Sequence, residues 1–599
     1  MCNSLIGVRK TDLSIENCNL NQEAADAFSD FFIDKVKKIQ DNLEATSVSF
    51  IDPSFSKLDM MKSNIDTAAF AKFQLVSPAD RESLIKKSKS KYCKLDVFPA
   101  CLFKTFSAQL AEPVSIIINR SLQTGTVPEQ FKKALVRPSL KKLSLDASVK
   151  FNHRPVSNLS FFLKLLEKAV YIQLNQHLTV NKLLPTSQCA YRKFHSTETC
   201  LLKMSNDILS ALDKGLSTLL VTLDISAAFD TVDHQMLLNR YNSRFGISGI
   251  ALAWMTCYLK GRSQVVQVGD AFSAEKTVET GFPQGSVLGG PKYNMHSSPL
   301  DELITLHSVD NESYADDLNL YLSFDLRDAN ATADACSKME HCLADVHAWM
   351  VQNKLQLNCS KTVVVLFKPK HQNPVHQPES LKVGDADVEI SDHFESLGVV
   401  FDSHMKMDRQ VNAVTKSMYF HLRRISSARR QLNKPVTETL VNTLVTSRLD
   451  YCNSLLCSLP KSTTKKLQVA QNSAARTILL ARKRDHVTPL LKELHWLPVL
   501  YRSNFKVLVF AFKALQSSTP ENVCDLLALY APHRNLRSTN QRFLACPPLP
   551  KKKFGARAFK NCAVTLWNCL PPAVRKAETL GDFKSKLKTH YFALHYGSN

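Results

Sequence analysis

Two aspartates stand side by side in an otherwise apolar run, SYADDLNLYL, at residues 313–322. Aspartate is depleted in strands, and two adjacent carboxylates repel and raise each other's pKa. Asp316 and Asp317 therefore need a compensating feature if this run is to form a strand. One interpretation is a tight turn, because aspartate bonds its own backbone there. The other is a divalent cation, because Mg²⁺ prefers carboxylate oxygens.

A second segment that ends in an aspartate favours the cation. Residues 217–225, STLLVTLDI, are apolar and β-branched, which predicts a buried strand with Asp224 at its end. If the two segments lie side by side, three carboxylates can hold two Mg²⁺ ions, the arrangement that clamps attacking and leaving oxygens in nucleotidyl transfer. Taken alone, Asp224 would be interpreted as a strand-end or helix-cap residue.

The glycine-bearing stretch GFPQGSVLG, residues 281–289, lies between the two aspartate segments. Its glycines allow a tight turn and close backbone approach, and Pro283 stiffens it. The amide of Gln284 is suited to contact a base or sugar edge. The order of the three segments along the chain, more than any one of them, indicates a nucleotide site.

The charge of the chain indicates a polyanionic partner. The 599 residues carry a formal net charge of +22, and basic clusters recur along the chain. This spread favours an extended groove for nucleic acid over one local patch or a membrane surface. No apolar run approaches the roughly 20 residues of a membrane span, and the N-terminus lacks a signal peptide's apolar region. We expect an intracellular, non-secreted protein whose sixteen cysteines are reduced thiols without zinc-finger spacing.

The ordered set RPVSNL, LDISAAFDTVDH, GFPQGSVLG, YADD and LNCSKT resembles the reverse transcriptases of LINE-type, non-LTR retrotransposons, in the jockey-like branch. Segments such as RLDYCNSLL, LHWLPV and LWNCLP extend the resemblance over residues 24–590. It implies an α/β (α+β) right-hand polymerase fold with fingers, a palm with an antiparallel sheet, a helical thumb and a mostly helical C-terminal extension. It also implies an RNA-directed DNA polymerase that uses two Mg²⁺ ions, an RNA template, a DNA primer or target and deoxynucleoside triphosphates.

The resemblance also implies roles for particular residues. Asp224, Asp316 and Asp317 would be the catalytic triad that binds the metals. The residues expected to bind nucleotide are Lys142 and Arg154 at the triphosphate, Phe229 against the sugar 2′ position, Gln284 at the incoming nucleotide and Lys361 near the active site. By residue type alone, Arg154 would be a solvated loop cation, Phe229 a core aromatic and Lys361 a surface lysine.

Composition and periodicity divide the chain into five parts. We expect a connecting segment with an amphipathic helix at 1–75, a helical N-terminal extension at 76–125, a reverse transcriptase domain of fingers and palm at 126–400, a helical thumb at 401–500 and a basic C-terminal extension at 501–599. Within them, apolar spacing predicts helices at 24–43, 157–178 and 337–354 and a strand at 362–367.

Three departures from the family pattern bear on activity. The chain begins in what resembles the segment after the family's nuclease domain, so we expect no DNA-nicking activity, in a truncated element or partial gene model. GPKYNMHSS, residues 290–298, stands where the family has an apolar helix, and its glycine and proline would cost a helix interior about 1 and 3 kcal/mol. Leu143 and Ser144 replace a usual Pro-Gly turn, which predicts a less rigid fingertip.

Three functions follow from these residues. The leading hypothesis is an RNA-directed DNA polymerase in a nuclear or cytoplasmic ribonucleoprotein. The alternative is a catalytically impaired nucleic-acid-binding remnant. This hypothesis is favoured if residues 290–298 form no helix against the palm. An RNA-templated RNA polymerase is disfavoured, because the bulk of Phe229 would exclude a 2′-hydroxyl. Nothing in the sequence indicates the oligomeric state.

Overall fold

The computed structural model describes residues 18–47, 69–88, 93–96, 98–142, 144–369, 378–384, 386–531, 541–551 and 554–597. Helices and strands alternate up to about residue 402, and helices predominate after it, so the protein is of the mixed α/β class. Two large apolar cores lie on opposite faces of a central six-stranded sheet.

The strands form two larger sheets and two short pairs. They are β1 (Lys133–Leu140), β2 (His153–Asn158), β3 (Ser217–Leu223), β4 (Ile225–Ser226), β5 (Arg262–Val268), β6 (Ala271–Phe272), β7 (Lys276–Val278), β8 (Asp310–Tyr314), β9 (Asp317–Phe324), β10 (Gln356–Leu357), β11 (Val363–Phe367), β12 (Ser380–Val383), β13 (Ala386–Ser391), β14 (His393–Ser396) and β15 (Val399–Asp402). The central sheet has the order β12-β13-β11-β3-β9-β8 and is antiparallel except for the β11–β13 pair.

Strand β3 lies inside the central sheet and is buried on both faces. Leu219, Val221 and Leu223 point into one core, and Leu220 points into the other. A strand covered on both sides has no solvent face, which explains why its sequence is apolar without alternation. This burial makes β3 a rigid support for the residue that follows it, Asp224.

The helices surround this sheet and build the C-terminal part. They are α1 (Cys18–Ser47), α2 (Pro78–Lys87), α3 (Ala100–Thr105), α4 (Ser107–Thr124), α5 (Glu129–Lys132), α6 (Phe161–Val180), α7 (Thr197–Lys214), α8 (His234–Ser243), α9 (Gly249–Leu259), α10 (Gly289–Ser297), α11 (Pro299–Leu306), α12 (Ala329–Gln352), α13 (Asp408–Ala428), α14 (Lys434–Val441), α15 (Ser447–Asp450), α16 (Lys461–Leu479), α17 (Val487–Glu493), α18 (Val499–Leu515), α19 (Glu521–Cys524), α20 (Phe559–Asn568), α21 (Pro572–Arg575) and α22 (Leu580–Tyr596).

Helices cover the central sheet on both sides. Helix α12 packs on β9 and β12, and its Met339, Leu343 and Val346 lie in the same core as Leu219. Helix α7 packs on β3 and β8 from the other side. It begins at a capping box in which Ser196 and Thr199 bond each other's backbone N–H groups, which fixes its first turn.

A second sheet, β2-β1-β5-β6 with β7 beside β5, forms the neighbouring wall. Helix α1 packs against β5 and β6, where Phe28 and Phe32 bury against Val266 and Val268. The helix expected at 24–43 is part of α1. The N-terminal segment thus closes one side of the space in front of β3.

Several expectations for local structure are confirmed, with shifted boundaries. The helix expected at 157–178 begins later, because β2 pairs with β1 up to Asn158 and the Ser160 hydroxyl then caps α6 by accepting from Leu163 N–H at 3.1 Å. The helix expected at 337–354 lies within α12 and just beyond its end, and the strand expected at 362–367 is β11. The sequence also predicts a linker with proline and histidine residues at 368–380, of which residues 370–377 lie outside the described residues.

The cysteines and tryptophans behave as the sequence indicates. The fourteen cysteines whose side chains the structure describes are free thiols. Trp496 and Trp567, whose residue type favours a core anchor over a base-stacking platform, are 6% and 1% exposed in the C-terminal core. Of the helices that the structure describes, none combines the length and apolar character that crossing a bilayer requires.

Candidate active site

The acidic residues singled out by the sequence meet at one edge of the central sheet. Strands β3 and β9 are antiparallel with Leu223 opposite Leu318, so Asp224, the residue after Leu223, lies beside Asp317. Asp316 lies in the turn between β8 and β9. Asp224 and Asp316 line the same cleft. Asp317, the first residue of β9, lies beside Asp224 but is not among the residues that line the cleft. We call Asp224, Asp316 and Asp317 together the acidic floor.

The turn that carries Asp316 is tight and is held by a buried amide. Ala315 has a φ of 59°, the left-handed conformation that two-residue hairpin turns use. Gln188, 4% exposed, accepts from Ala315 N–H at 2.9 Å and donates to its carbonyl at 3.3 Å. The turn interpretation is therefore confirmed, and the cation interpretation stays a prediction with which this turn is compatible. Sequence reasoning missed Gln188, because no local pattern shows that residue 188 reaches residue 315.

Asp224 is fixed by two partners from the loop after β10. Asn358 Nδ2 donates to Asp224 Oδ2 at 3.1 Å, and Lys361 Nζ lies 3.0 Å from the same oxygen. The backbone N–H of Asn358 also donates to the Asp224 carbonyl at 2.8 Å. Lys361 is thus an ion-pair partner of the acidic floor. The sequence analysis did not single out Asn358, although this residue is part of the LNCSKT motif.

Burial and mutual repulsion make the acidic floor costly without a cation. Burial raises the pKa of Asp316, and the negative charge of Asp224 raises it further. Burial, followed by the charges of Asp316 and Asp224, raises the pKa of Asp317 to about 6. A nearby cation would favour the ionised carboxylates. Hard oxygen donors that repel one another beside an open cleft fit a pair of Mg²⁺ ions.

The cleft above the acidic floor is large and lined by cations. It encloses about 1160 Å³, and Lys35 of α1, Lys141, Arg154 and Lys361 are among its lining residues. Burial lowers the pKa of Lys141, and the charges of Lys35, Lys361 and Arg154 lower it further. Cations held this close to one another favour a polyanionic ligand such as a triphosphate.

Lys142, the residue expected at the triphosphate, does not line the cleft, whereas its neighbour Lys141 does. Strand β1 ends at Leu140, and Lys141 N–H donates to the Asn152 carbonyl at 2.8 Å, which continues the pairing with β2. Successive residues of an extended chain point to opposite sides. Of the two adjacent lysines, Lys141 therefore faces the cleft, whereas Lys142 is exposed to solvent outside it.

Phe229 and Gln284 both line the cleft. The Phe229 ring stacks on Tyr293, with 4.8 Å between ring centres. Gln284 Nε2 donates to both carboxylate oxygens of Asp230, at 2.9 and 3.1 Å, so its amide is oriented by a residue that sequence reasoning had not assigned. A Cβ at Gly285 would lie 2.4 Å from the Ser157 carbonyl, which explains the glycine beside Gln284.

Residues 290–298 form most of a helix, contrary to the expectation from their glycine and proline. Helix α10 runs Gly289–Ser297 and packs against α8. Gly290 and Pro291 fall in its first turn, where backbone N–H groups have no intrahelical acceptor and proline costs little. A Cβ at Gly290 would lie 2.4 Å from the Tyr191 ring, so the close approach of that ring requires glycine.

The unusual feature of α10 is the burial of its polar residues. Lys292, Asn294 and His296 are each 1% exposed or less. Lys292 Nζ, Tyr293 OH and His296 Nε2 have no hydrogen-bond partner among the residues that the structure describes. Burial lowers the pKa of Lys292 well below its ordinary value, and Nζ lies 3.6 Å from the centre of the Tyr258 ring. The helix forms, at a cost that comes from desolvation rather than from backbone propensity.

Comparisons with known proteins show which proteins this chain is similar to. Residues 141–401 match a family model described as reverse transcriptase (RNA-dependent DNA polymerase). A probable RNA-directed DNA polymerase from transposon BS of Drosophila melanogaster is 28% identical over 383 residues, which cover 61% of this chain and 40% of the relative.

Two further relatives match at lower identity. The RNA-directed DNA polymerase from mobile element jockey of Drosophila funebris is 23% identical over 425 residues, 68% of this chain and 45% of the relative. A probable RNA-directed DNA polymerase from transposon X-element of Drosophila melanogaster is 23% identical over 402 residues, 66% of this chain and 43% of the relative. The chain therefore spans less than half the length of these curated relatives.

Proposed function

We propose that this protein is an RNA-directed DNA polymerase of a non-LTR retrotransposon, because residues 141–401 match the reverse transcriptase family model and the chain is distantly similar to jockey, BS and X-element polymerases. The observation that carries the proposal is the β3–β9 register, which sets Asp224 beside Asp317 next to the turn with Asp316. The cation-lined cleft above them supports it.

The proposal includes a right-hand architecture. The central sheet with α7 and α12 would be the palm, and the β1–β2–β5 sheet would belong to the fingers, within a domain at 126–400. The helices at 401–500 would be the thumb, and 501–599 a basic C-terminal extension. Residues 1–75 would be a connecting segment and 76–125 a helical N-terminal extension. In this arrangement α1 of the connecting segment is part of the cleft wall.

In the proposed reaction, the 3′-hydroxyl of a DNA primer attacks the α-phosphorus of a deoxynucleoside triphosphate on an RNA template. A new P–O bond forms, the bond to the β-phosphate oxygen breaks, pyrophosphate leaves and the hydroxyl proton passes to water. Asp224, Asp316 and Asp317 would hold two Mg²⁺ ions. Bound Mg²⁺ neutralises charge on the attacking and leaving oxygens.

The remaining residues of the cleft would orient the substrates. Arg154 and Lys141 would bind the triphosphate, because fixed cations stabilise phosphate charge without reorganisation. Phe229, held by its stack on Tyr293, would contact the sugar where a 2′-hydroxyl would lie. Gln284, oriented by Asp230, would face the incoming nucleotide. Lys361 would keep Asp224 in place through its ion pair.

The partners of this activity would be an RNA template and a DNA primer or target. The net charge of +22 supports nucleic-acid binding through phosphate contacts. We propose an intracellular setting, in a nuclear or cytoplasmic ribonucleoprotein, because the relatives are transposon polymerases.

Primer extension on an RNA template with Mg²⁺ tests the proposal. The wild-type chain should extend the primer, and Asp316→Ala should not. Asp325→Ala is the matched control, because Asp325 lies in the turn at the other end of β9 and pairs with Arg327 on the surface. Loss of extension in both variants would point to a general loss of structure, and equal extension by all three proteins would exclude the acidic floor as the catalytic site.

A second candidate function is a nucleic-acid-binding remnant without polymerase activity. Polar atoms of α10 that are buried without a hydrogen-bond partner in the described ranges favour it, because α10 supports Phe229 through Tyr293. A wild-type chain that binds a primer–template duplex with normal salt dependence but does not extend it would select this candidate. Extension by the wild-type chain would remove it.

A further inference from the structure

Glu312 of β8, four residues before Asp316, meets two cysteines from other parts of the chain. The Sγ atoms of Cys189 and Cys200 and a carboxylate oxygen of Glu312 all lie within 4.8 Å of one another. The three residues are at most 2% exposed. Three ligand atoms of this kind, converging from distant positions into one buried point, form a candidate metal site separate from the acidic floor.

The backbone holds each ligand in a defined place. Cys189 N–H donates to the Ser313 carbonyl at 2.8 Å, so its segment continues the sheet beside β8. Cys200 lies in the first turn of α7, which the Ser196 capping box fixes. Cys189 Sγ and Glu312 Oε2 are 3.7 Å apart. Neighbouring sulfur and oxygen ligands on a tetrahedral Zn²⁺ are roughly 3.6–3.8 Å apart, given Zn–S near 2.3 Å and Zn–O near 2.1 Å.

The surroundings also suit a bound cation. Asn522 Nδ2 donates to Glu312 Oε1 at 2.9 Å, an outer contact that leaves Oε2 on the side of Cys189. Arg192 and Lys203 lie near enough to offset the negative charge of two thiolates and a carboxylate. Thiolates select Zn²⁺ over Mg²⁺, whose preferred ligands are oxygens. The ligand types therefore assign different metals to this cluster and to the acidic floor.

We propose that Cys189, Cys200 and Glu312 bind one Zn²⁺ ion, with a fourth position left for water. The ion joins α7 and the segment around residue 189 to β8. Gln188, next to Cys189, holds the turn that carries Asp316 through both backbone groups of Ala315. Zinc binding therefore makes the β8–β9 hairpin, whose turn carries Asp316, more rigid. This inference stands on the cluster itself and does not depend on polymerase activity.

Cobalt titration of the reduced, metal-free full chain tests the proposal. One equivalent of Co²⁺ should produce a thiolate-to-cobalt charge-transfer absorption band, and Zn²⁺ should remove it. Cobalt at the acidic floor gives no such band, because that site has no sulfur ligand. The wild-type result needs no variant, and its absence overturns the proposal: the cluster is then a hydrogen-bonded group of buried thiols and a carboxyl.

Matched variants show which cysteines give rise to the absorption band. Cys189→Ser and Cys200→Ser should each abolish it, and Zn²⁺ should raise the thermal unfolding midpoint of the wild-type chain but not of these two variants. Cys457→Ser is the control, because Cys457 is also buried and hydrogen-bonded to a second cysteine, Cys562, in the C-terminal core. A band that survives in both cysteine variants at 189 and 200, or that disappears in Cys457→Ser, contradicts the assignment.

Discussion

The acidic floor and helix α10 lie close together in the molecule, and both place polar groups where water is scarce. At the floor, Asp224 bonds Asn358 and Lys361, Gln188 satisfies the hairpin turn, and Asp316 lines the cleft. In α10, Lys292 Nζ has no hydrogen-bond partner in the described part of the chain.

This difference separates two kinds of cost. Repulsion at the floor would be relieved by the two cations of the proposed reaction, so this cost is compatible with the proposed function. The buried polar atoms of α10 that lack hydrogen-bond partners in the described part of the chain have no such cation, and the contact of Lys292 with the Tyr258 ring offsets their desolvation only in part, so we expect them to reduce stability. We therefore expect substitutions at the floor to remove activity with little loss of stability, and substitutions in α10 to increase stability.

The largest expected effect is on activity at the floor. Asp224→Asn should reduce primer extension at least about 10³-fold, because it removes a proposed metal ligand and its charge. Its thermal unfolding midpoint without metal should not fall, because one repelling carboxylate is gone and the lost pair with the exposed Lys361 contributes little. Single-turnover extension and calorimetry measure both quantities. A markedly lower midpoint would mean that the floor is structural and would break the comparison.

Gln188→Leu tests whether the floor depends on its polar partners. It leaves the buried N–H and carbonyl of Ala315 without a side-chain partner, so the free energy of unfolding should fall by about 1–3 kcal/mol. Urea unfolding measures this change. Gln235→Leu is the control, because Gln235 bonds Asn239 on the exposed surface of α8 and should change stability little. Equal losses in the two variants would argue against the role of Gln188.

Lys292→Met should stabilise the protein by about 1–3 kcal/mol at pH 7, because it removes a buried amine that has no hydrogen bond to any described residue and keeps the volume. Between its lowered folded pKa and the unfolded value of 10.5, the unfolded chain binds more protons at this site. Wild-type stability should therefore rise with pH toward 10.5, and the variant should lack that rise. Lys338→Met, on the exposed face of α12, is the control and should change neither the free energy of unfolding at pH 7 nor its rise with pH.

The pKa of Asp317, raised to about 6 from 3.8, predicts a pH dependence of opposite sign. Between these values the folded protein holds the proton more tightly than the unfolded chain. The stability that Asp317 contributes in metal-free protein is therefore complete below the unfolded pKa and is lost as the pH rises through about 6. Urea unfolding from pH 4 to 7 should show a steeper decline in the wild-type chain than in Asp317→Asn. Added Mg²⁺ should reduce the decline in the wild-type chain.

Tyr293→Phe has the smallest expected effect and sharpens the comparison within α10. It removes a buried hydroxyl without a hydrogen-bond partner among the described residues and keeps the ring that stacks on Phe229. The free energy of unfolding should rise by up to about 1 kcal/mol. A loss of stability in urea unfolding would show that the hydroxyl makes a favourable contact. The polar groups of α10 would then have partners, as those of the floor do.

The sequence predicted which acidic residues come together better than it predicted the residues that hold and surround them. The apolar run of β3 and the aspartate after it are local patterns, and so is the acidic pair in a hairpin. Gln188 and the choice of Lys141 over Lys142 depend on which segments meet and which way an extended chain turns. Glycine and proline in α10 looked damaging because the sequence does not show that they fall in its first turn.

The sequence by itself determined the ligand chemistry: three carboxylates, a glycine-bearing loop and an excess of positive charge. Tertiary structure decided the distances between them, through the pairing of Leu223 with Leu318 and the packing of α1 beside the cleft. It also decided that Cys189, Cys200 and Glu312 converge. The physical reason is that residue types set which bonds a side chain can form, whereas contacts between distant segments depend on strand register and on the burial of whole faces.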